Sequence, residues 1–244
     1  MNGINNKLEY TVFEKLSLLR PVNRLDFLAN KSQDKVVMDI GALDETAYKS
    51  KKGKNLWLHE RLSKKAKRVI GIDSSDLIER DSIKTFDNAE IFKRNIYDVE
   101  EVSKLIDNVD IIIAGEVIEH LDNPIKFMEI LKQYGEKSQG KVYITTPNAQ
   151  SYSNHIMGLI GRESCHKDHL TIFSYKTLNT LCIRTHQNSW RFYPTYTKYY
   201  EMIENSKGFK RVATIVFNKY VNIIEYLFPM LCGCWILELD YTTQ

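Results

Sequence analysis

Five short apolar runs, each closed by a turn or an acidic residue, most constrain what this chain can fold into: Val36–Ile40, Arg68–Ile72, Glu90–Arg94, Val109–Ala114 and Lys141–Thr145. Each has the length of a strand, and several carry almost no polar interruption, the pattern of parallel strands covered by helices on both faces. Helix-like segments follow the first four runs at Trp57–Ala66, Leu77–Phe86, Val99–Ile106 and Pro124–Tyr134. The last begins Asp122-Asn123-Pro124, a capping residue before proline at the first helical position, and is expected to end near Gly135. This alternation predicts an α/β, doubly wound, mostly parallel sheet of about seven strands that binds ligands at the carboxyl ends of its strands.

After Thr146-Pro147-Asn148 the alternation lapses. Ser174–Thr185 and Phe209–Leu227 read as helices, and Ser189–Tyr196 and Cys234–Leu239 as strands. The expectation is a single domain over residues 1–244, with an N-terminal helical extension (1–34), a cofactor-binding core (35–148) and a lid, substrate and sheet-closing part (149–244). With 43% apolar and 27% charged residues the chain has the composition of an ordinary folded protein. A net charge of +3 does not by itself imply a nucleic-acid or anionic-membrane partner, and the basic stretches Lys49–Lys54 and Arg61–Arg68 read as solvated surface. The four cysteines lack paired metal-ligand spacing and no signal-like N-terminus is seen, so a cytoplasmic location is expected. Cys232-Gly233-Cys234 reads as packing rather than redox chemistry. The longest apolar stretch, Val221–Leu239, is broken by Asn222, Glu225, Pro229 and Glu238, and reads as buried structure or an interfacial contact rather than a membrane span.

Val36-Val37-Met38-Asp39-Ile40-Gly41-Ala42 is a buried strand ending in an acid and a tight glycine turn, where backbone can approach a ligand closely. The second run, Val69-Ile70-Gly71-Ile72-Asp73, also ends in a carboxylate, followed by Ser74, at a position suited to accepting ribose hydroxyls. A dinucleotide needs further glycines and a helix N-terminus for its pyrophosphate, yet the first turn continues Leu43-Asp44-Glu45, with acids where phosphates would sit. A phosphate-free, positively charged cofactor is compatible with that surrounding.

With these residues in view, the sequence resembles class I S-adenosyl-L-methionine (SAM)-dependent methyltransferases, whose fold is Rossmann-like, and especially the group containing the ubiquinone-biosynthesis O-methyltransferases, over about Lys35 to Leu178. The glycine-rich first motif matches at Asp39 and Gly41, while Leu43 and Glu45 stand where the family usually has glycine. The resemblance implies that Asp39, Gly41, Ala42, Asp73, Ser74, Asn95, Ile96, Gly115 and Glu116 bind SAM, with Asp73 at the ribose, Asn95-Ile96 at adenine and Ala114-Gly115-Glu116 beside methionine. Taken singly, Asp39, Asp73 and Asn95 also read as strand-end turn residues. His59 reads either as facing the cofactor loop or as a surface or helix-satisfied histidine.

The most informative stretch is Glu116-Val117-Ile118-Glu119-His120, two carboxylates and an imidazole within five residues after the fourth run, and His166-Lys167-Asp168-His169 can fold back over that edge. This E-x-x-E-H pattern with a later histidine resembles the metal set of small-RNA 3′-end 2′-O-methyltransferases. The resemblance makes Glu116, Glu119, His120 and His169 candidate ligands for Mg²⁺, Mn²⁺ or Zn²⁺. Glu119, His120 and His169 are the candidate catalytic residues: a cation would acidify a substrate hydroxyl, and without one either histidine suits a general base. The competing reading makes Glu119 and His120 helix-entry residues and His169 structural. Trp190, Phe192, Tyr193, Tyr196, Tyr199 and Tyr200, with Arg191 and Lys198, form an aromatic and basic cluster that fits either core or an acceptor surface. The expected function is O-methylation of a sugar, glycolipid or small-metabolite hydroxyl. The alternatives are 2′-O-methylation of an RNA end, disfavoured by the modest charge, and a non-catalytic binding subunit, motivated by Leu43 and Glu45.

Overall fold

The computed structural model describes residues 8–44 and 48–242. Glu45, one of the two departures from the glycine motif, lies outside the described residues. The strands are β1 (Val36–Ile40), β2 (Arg68–Asp73), β3 (Ser82–Phe86), β4 (Ala89–Lys93), β5 (Ile111–Gly115), β6 (Lys141–Pro147), β7 (Trp190–Thr195) and β8 (Cys234–Asp240). They form one eight-stranded sheet in the order β3-β4-β2-β1-β5-β6-β8-β7. The five strands from β4 to β6 run parallel, while β3, and β8 between β6 and β7, pair antiparallel. Strand order reverses between β1 and β5, so the crevice at their carboxyl ends is the place this topology offers a ligand.

The helices are α1 (Arg24–Lys31), α2 (Tyr48–Lys51), α3 (Leu58–Ser63), α4 (Val99–Ser103), α5 (Pro124–Ser138), α6 (Tyr152–Leu159), α7 (Tyr175–Arg184), α8 (Tyr200–Glu204) and α9 (Gly208–Leu227). The Ile111-Ile112-Ile113 run of β5 is buried on both faces, as a central parallel strand requires. Helix α5 starts where its sequence says: Asn123 accepts from the Lys126 amide and Pro124 takes the first turn. It runs past Gly135, because the Tyr241 ring packs where a Cβ would stand, so this glycine permits close approach and does not stop the helix. Of the N-terminal extension, only Arg24–Lys31 is helical among the described residues, and Val22 bridges to Thr195 of β7.

The segment Leu77–Phe86, expected as a helix, instead ends in strand β3 of a hairpin with β4. Ser82-Ile83-Lys84-Thr85-Phe86 alternates, carries β-branched residues and meets the two-residue Asp87-Asn88 turn, all of which outweigh the apolar spacing that suggested a helix. Asn88 ties this turn down by donating to the carbonyls of Ser63 and Ala66, both at 2.9 Å.

Leu43 has a structural use that glycine could not supply. It is 1% exposed and packs with Ala42, Trp57, Ile78 and Ile91 under the first turn. Replacing Leu43 by glycine is expected to destabilise the fold by about 3 kcal/mol or more, from the cavity and the added chain freedom. Urea unfolding of the variant measures this, and an unchanged midpoint would contradict the packing role.

Candidate functional site

The two strand-end acids are held by the protein itself. Asp39 is 2% exposed and accepts from His59 Nδ1 at 2.9 Å, while His59 Nε2 lies 2.9 Å from the Thr85 hydroxyl. His59 is fully buried beside Trp57 and Phe86, so it is not a surface residue. The Asp39–His59–Thr85 chain ties β1 to α3 and the β3–β4 hairpin. Asp73, half-buried at the end of β2, accepts the Leu43 and Ser75 amides at 2.9 Å each. It thereby fixes the Gly41–Leu43 turn against β2, helped by the bond from Gly41 N to Ile72 O at 2.9 Å. Gly41 sits at φ +72°, and a Cβ there would meet Val117 at 2.6 Å, so the position requires glycine on both counts. The Ala42 carbonyl accepts from Trp57 Nε1 at 2.8 Å, and Ser74 is exposed beyond the strand. Asn95 is exposed and accepts from the Tyr97 amide at 3.0 Å, as an ordinary turn residue does. Ile96 is half-buried, its carbonyl accepting from the Tyr134 hydroxyl at 2.9 Å.

Beyond β5 the chain makes a sharp turn. Gly115 lies close to Leu58, and Glu116 adopts φ +58° with its amide bonded to both the carbonyl and the hydroxyl of Thr145, at 3.0 and 3.1 Å. A short 3₁₀ turn, Ile118–His120, then points Glu119 inward and His120 outward. The amides of Leu170 and Thr171 both donate to the Glu119 carbonyl, at 2.8 and 3.2 Å, which draws the histidine-rich segment over the turn.

As a result Glu119, His120 and His169 each offer a ligand atom, all within 4.8 Å of one another. The His120 and His169 rings stand edge to face at 4.7 Å, with His166 further out. His120 Nδ1 donates to the Asp168 carbonyl at 3.0 Å, which directs the Nε2 lone pair away from that carbonyl. The Glu119 side chain is fully buried and, among the described residues, neither carboxylate oxygen has a partner in hydrogen-bond geometry, although the Thr146 hydroxyl, likewise unpaired, lies close enough to favour the charged form. Burial, reinforced by the neighbouring charge of Glu116, pushes its carboxyl up from the usual 4.5 to about 8. Burial and the two neighbouring histidines hold His169 below its ordinary value.

Glu116, the fourth candidate ligand, stands apart from this cluster. It is paired with Arg24 at 3.2 Å, and Arg24 also donates to the Thr145 hydroxyl at 3.1 Å. Arg24 carried no sequence signal, because it lies outside the strand-and-turn motifs and reaches the site only through the placement of α1. Glu116, Arg24 and His169 line a cavity of about 870 Å³ whose far wall includes Asn148, Tyr196, Lys198, Tyr199 and Tyr200. None of Asp39, Gly41, Asp73, Asn95 and Ile96 lines it. The aromatic cluster thus divides. Phe192 packs in the core against Tyr175 and Trp235, the Trp190 indole donates to Asn179 and the Tyr193 hydroxyl to Glu238, while the later tyrosines face the cavity.

The site has the setting of a known family. The family model described as "Methyltransferase domain" matches residues 11–185. No curated protein matches the chain by sequence. Among solved structures, the small RNA methyltransferase HEN1 superposes with a TM-score of 0.56 at 14% identity, over 95% of this chain and 27% of that one. The methyltransferase domain of bacterial CtHen1-C gives 0.51 at 19% identity, over 89% and 96% of the two chains. Magnesium protoporphyrin IX methyltransferase (ChlM) from Synechocystis PCC 6803, solved with bound SAH, gives 0.50 at 11% identity, over 88% and 81%. At these identities the superpositions speak for the fold, and the family match, covering most of the chain, adds the chemistry. The chain belongs to the methyltransferase domain family and is a class I SAM-dependent methyltransferase.

Proposed function

We propose that the chain methylates a hydroxyl on a sugar, glycolipid or small metabolite, with a divalent cation held by Glu119, His120 and His169. The observation that carries this reading is the buried, unpartnered Glu119 carboxylate beside two imidazoles, one of them already oriented by a backbone carbonyl. A carboxylate in such a place is costly unless something positive meets it. Mixed oxygen and nitrogen donors fit Mg²⁺, Mn²⁺ or Zn²⁺.

When bound, SAM supplies an electrophilic methyl group and the cation lowers the pKa of an acceptor hydroxyl. The chain's own residues supply placement and proton handling. Asp168 fixes the His120 ring through its carbonyl, and Glu119 is immobilised by the 3₁₀ turn and by the two amides on its carbonyl. With the cation held, the acidified hydroxyl proton passes to solvent; without a cation, His169, held below its ordinary value by burial and its histidine neighbours, would be the base that takes it on a ring nitrogen. Arg24 and Glu116 present opposite charges at the cavity wall, suited to the amino-acid end of the cofactor. Asp39, Gly41, Ala42, Asp73, Ser74, Asn95, Ile96 and Gly115 are the proposed residues along the rest of SAM. The cavity's hydroxyl, amide and tyrosine lining suits a polyhydroxylated acceptor.

The E-x-x-E-H…H pattern favours a second reading, 2′-O-methylation of an RNA end, and the name of HEN1 points the same way. Diversion of Glu116 to Arg24 and the modest net charge of +3 weigh against it. Tritiated methyl transfer into separated RNA, lipid, glycan and small-molecule pools distinguishes them: label in the RNA pool alone would replace the leading reading. In that assay Glu119→Ala and chelation are each expected to lower transfer at least about a hundredfold. Activity indifferent to both would remove the cation.

The raised Glu119 carboxyl also has a stability signature. In chelator-treated protein the folded state keeps a proton that the unfolded chain has lost between its ordinary 4.5 and about 8, so stability falls as pH rises through that window. Between roughly pH 5 and 8 the loss attributable to this group is about 3 kcal/mol, and Glu119→Gln is expected to abolish it. Urea unfolding across that range measures the difference. Parallel curves for the two proteins would show that Glu119 titrates normally.

A further inference from the structure

Helix α9 is laid on the protein with its polar side inward. Asn218 and Glu225 are buried, Glu225 accepts from the amide and hydroxyl of Thr197, and Asn218 and Asn222 donate to the Thr197 carbonyl at 3.1 and 2.9 Å. The opposite side carries Phe209, Val212, Val216, Tyr220, Ile223 and Leu227, spaced by three and four residues into one stripe and 48–87% exposed. A water-facing helix normally shows the reverse arrangement, and a continuous apolar face of this kind marks a contact surface.

The stripe is bordered by positive charge. Lys210 and Lys219 stand exposed on its two flanks and Lys207 and Arg211 are exposed at the helix start, whereas the helix's one acid, Glu225, is buried. Arg20 lies over the Tyr226 ring at 4.7 Å, adding another cation at the C-terminal end. The apolar face also continues to the cavity. Tyr152 of α6 meets Tyr220 edge on with their hydroxyls 3.1 Å apart, Leu159 and Ile160 at the end of α6 are exposed, and exposed Met202 lines the cavity.

We infer that this face docks on an anionic lipid bilayer, with α9 lying in the plane of one leaflet. Lipid headgroups neutralise the cationic border while the apolar stripe enters the acyl boundary, and Tyr220 and Tyr226 suit the interface between them. A second copy related by a twofold axis would set the same cationic border against itself. Among the described residues no helix is long and apolar enough to cross a membrane, so the contact is with the surface. Resting on the methyl-transfer reading above, this docking places the cavity mouth at the headgroup layer and narrows the acceptor to a hydroxyl-bearing lipid headgroup.

Sedimentation of the full chain with phosphatidylcholine vesicles containing about one-third phosphatidylglycerol tests the docking without SAM, metal or acceptor. Binding to these vesicles, and much less to pure phosphatidylcholine, is expected. Val216→Asp combined with Ile223→Asp should weaken it about tenfold or more, with thermal unfolding and SAM binding unchanged. Lys210→Glu combined with Lys219→Glu should weaken it by a similar factor, which keeps the test decisive should the first variant fold poorly. Wild-type protein left in the supernatant would overturn the inference, as would wild-type binding by both variants. A concentration-dependent dimer that Val216→Asp breaks, without vesicle binding, would assign the face to a second copy. Failure here leaves methyl transfer standing, and absence of transfer leaves docking standing.

Discussion

The Glu119 residue holds the site together from both of its ends. Its carbonyl accepts the Leu170 and Thr171 amides, and that junction, with the His120–Asp168 bond and the Asn148–Phe173 bridge, brings the segment carrying His166, Asp168 and His169 across the carboxyl edge of the sheet. Its carboxylate is then left buried near two imidazoles with no hydrogen-bond partner among the described residues. Leaving a carboxylate in that state costs several kcal/mol unless it keeps its proton or meets a cation. The protein's high Glu119 pKa and the orientation of His120 by Asp168 are two consequences of the same crowding.

The other half of the edge has been spent on rigidity. Asp39, His59 and Thr85 form a buried polar chain that locks β1, α3 and the β3–β4 hairpin together. Asp73 clamps the first turn through the Leu43 amide, and the Leu43 side chain fills the space beneath. Leu43, standing where the family usually has glycine, is thus a packing solution that supports the first turn from below. The open space lies instead beside β6, β7 and β8, where α1 contributes Arg24 and the C-terminal third contributes Tyr196, Lys198, Tyr199 and Tyr200.

Sequence pattern made the parallel core legible because strands such as Ile111-Ile112-Ile113 are buried on both faces and show it in their composition. Capping chemistry located the start of α5 for the same local reason. The β3 hairpin is hard to see in sequence because the short Ser82–Phe86 run is only half-buried, and its alternation and β-branched residues count for little until the Asp87-Asn88 turn pairs it with β4. At the site, the sequence grouped Glu119, His120 and His169 by type and order. It also placed Glu116 with them, since nothing local reveals that Arg24, distant in the chain, claims that carboxylate. The inward polar face of α9 was hidden for a related reason: periodicity shows that a helix has two faces, but which one meets the protein is decided by Thr197, on another segment.

The account stands on one donor set, and the direct measurement is pulsed electron paramagnetic resonance of the Mn²⁺-loaded protein, read for nitrogen coupling. Two histidine nitrogens should modulate the echo, falling to one in His169→Ala while the protein stays folded. A spectrum showing only water protons around the ion, unchanged by that substitution, would place the metal elsewhere and contradict the reading of this site.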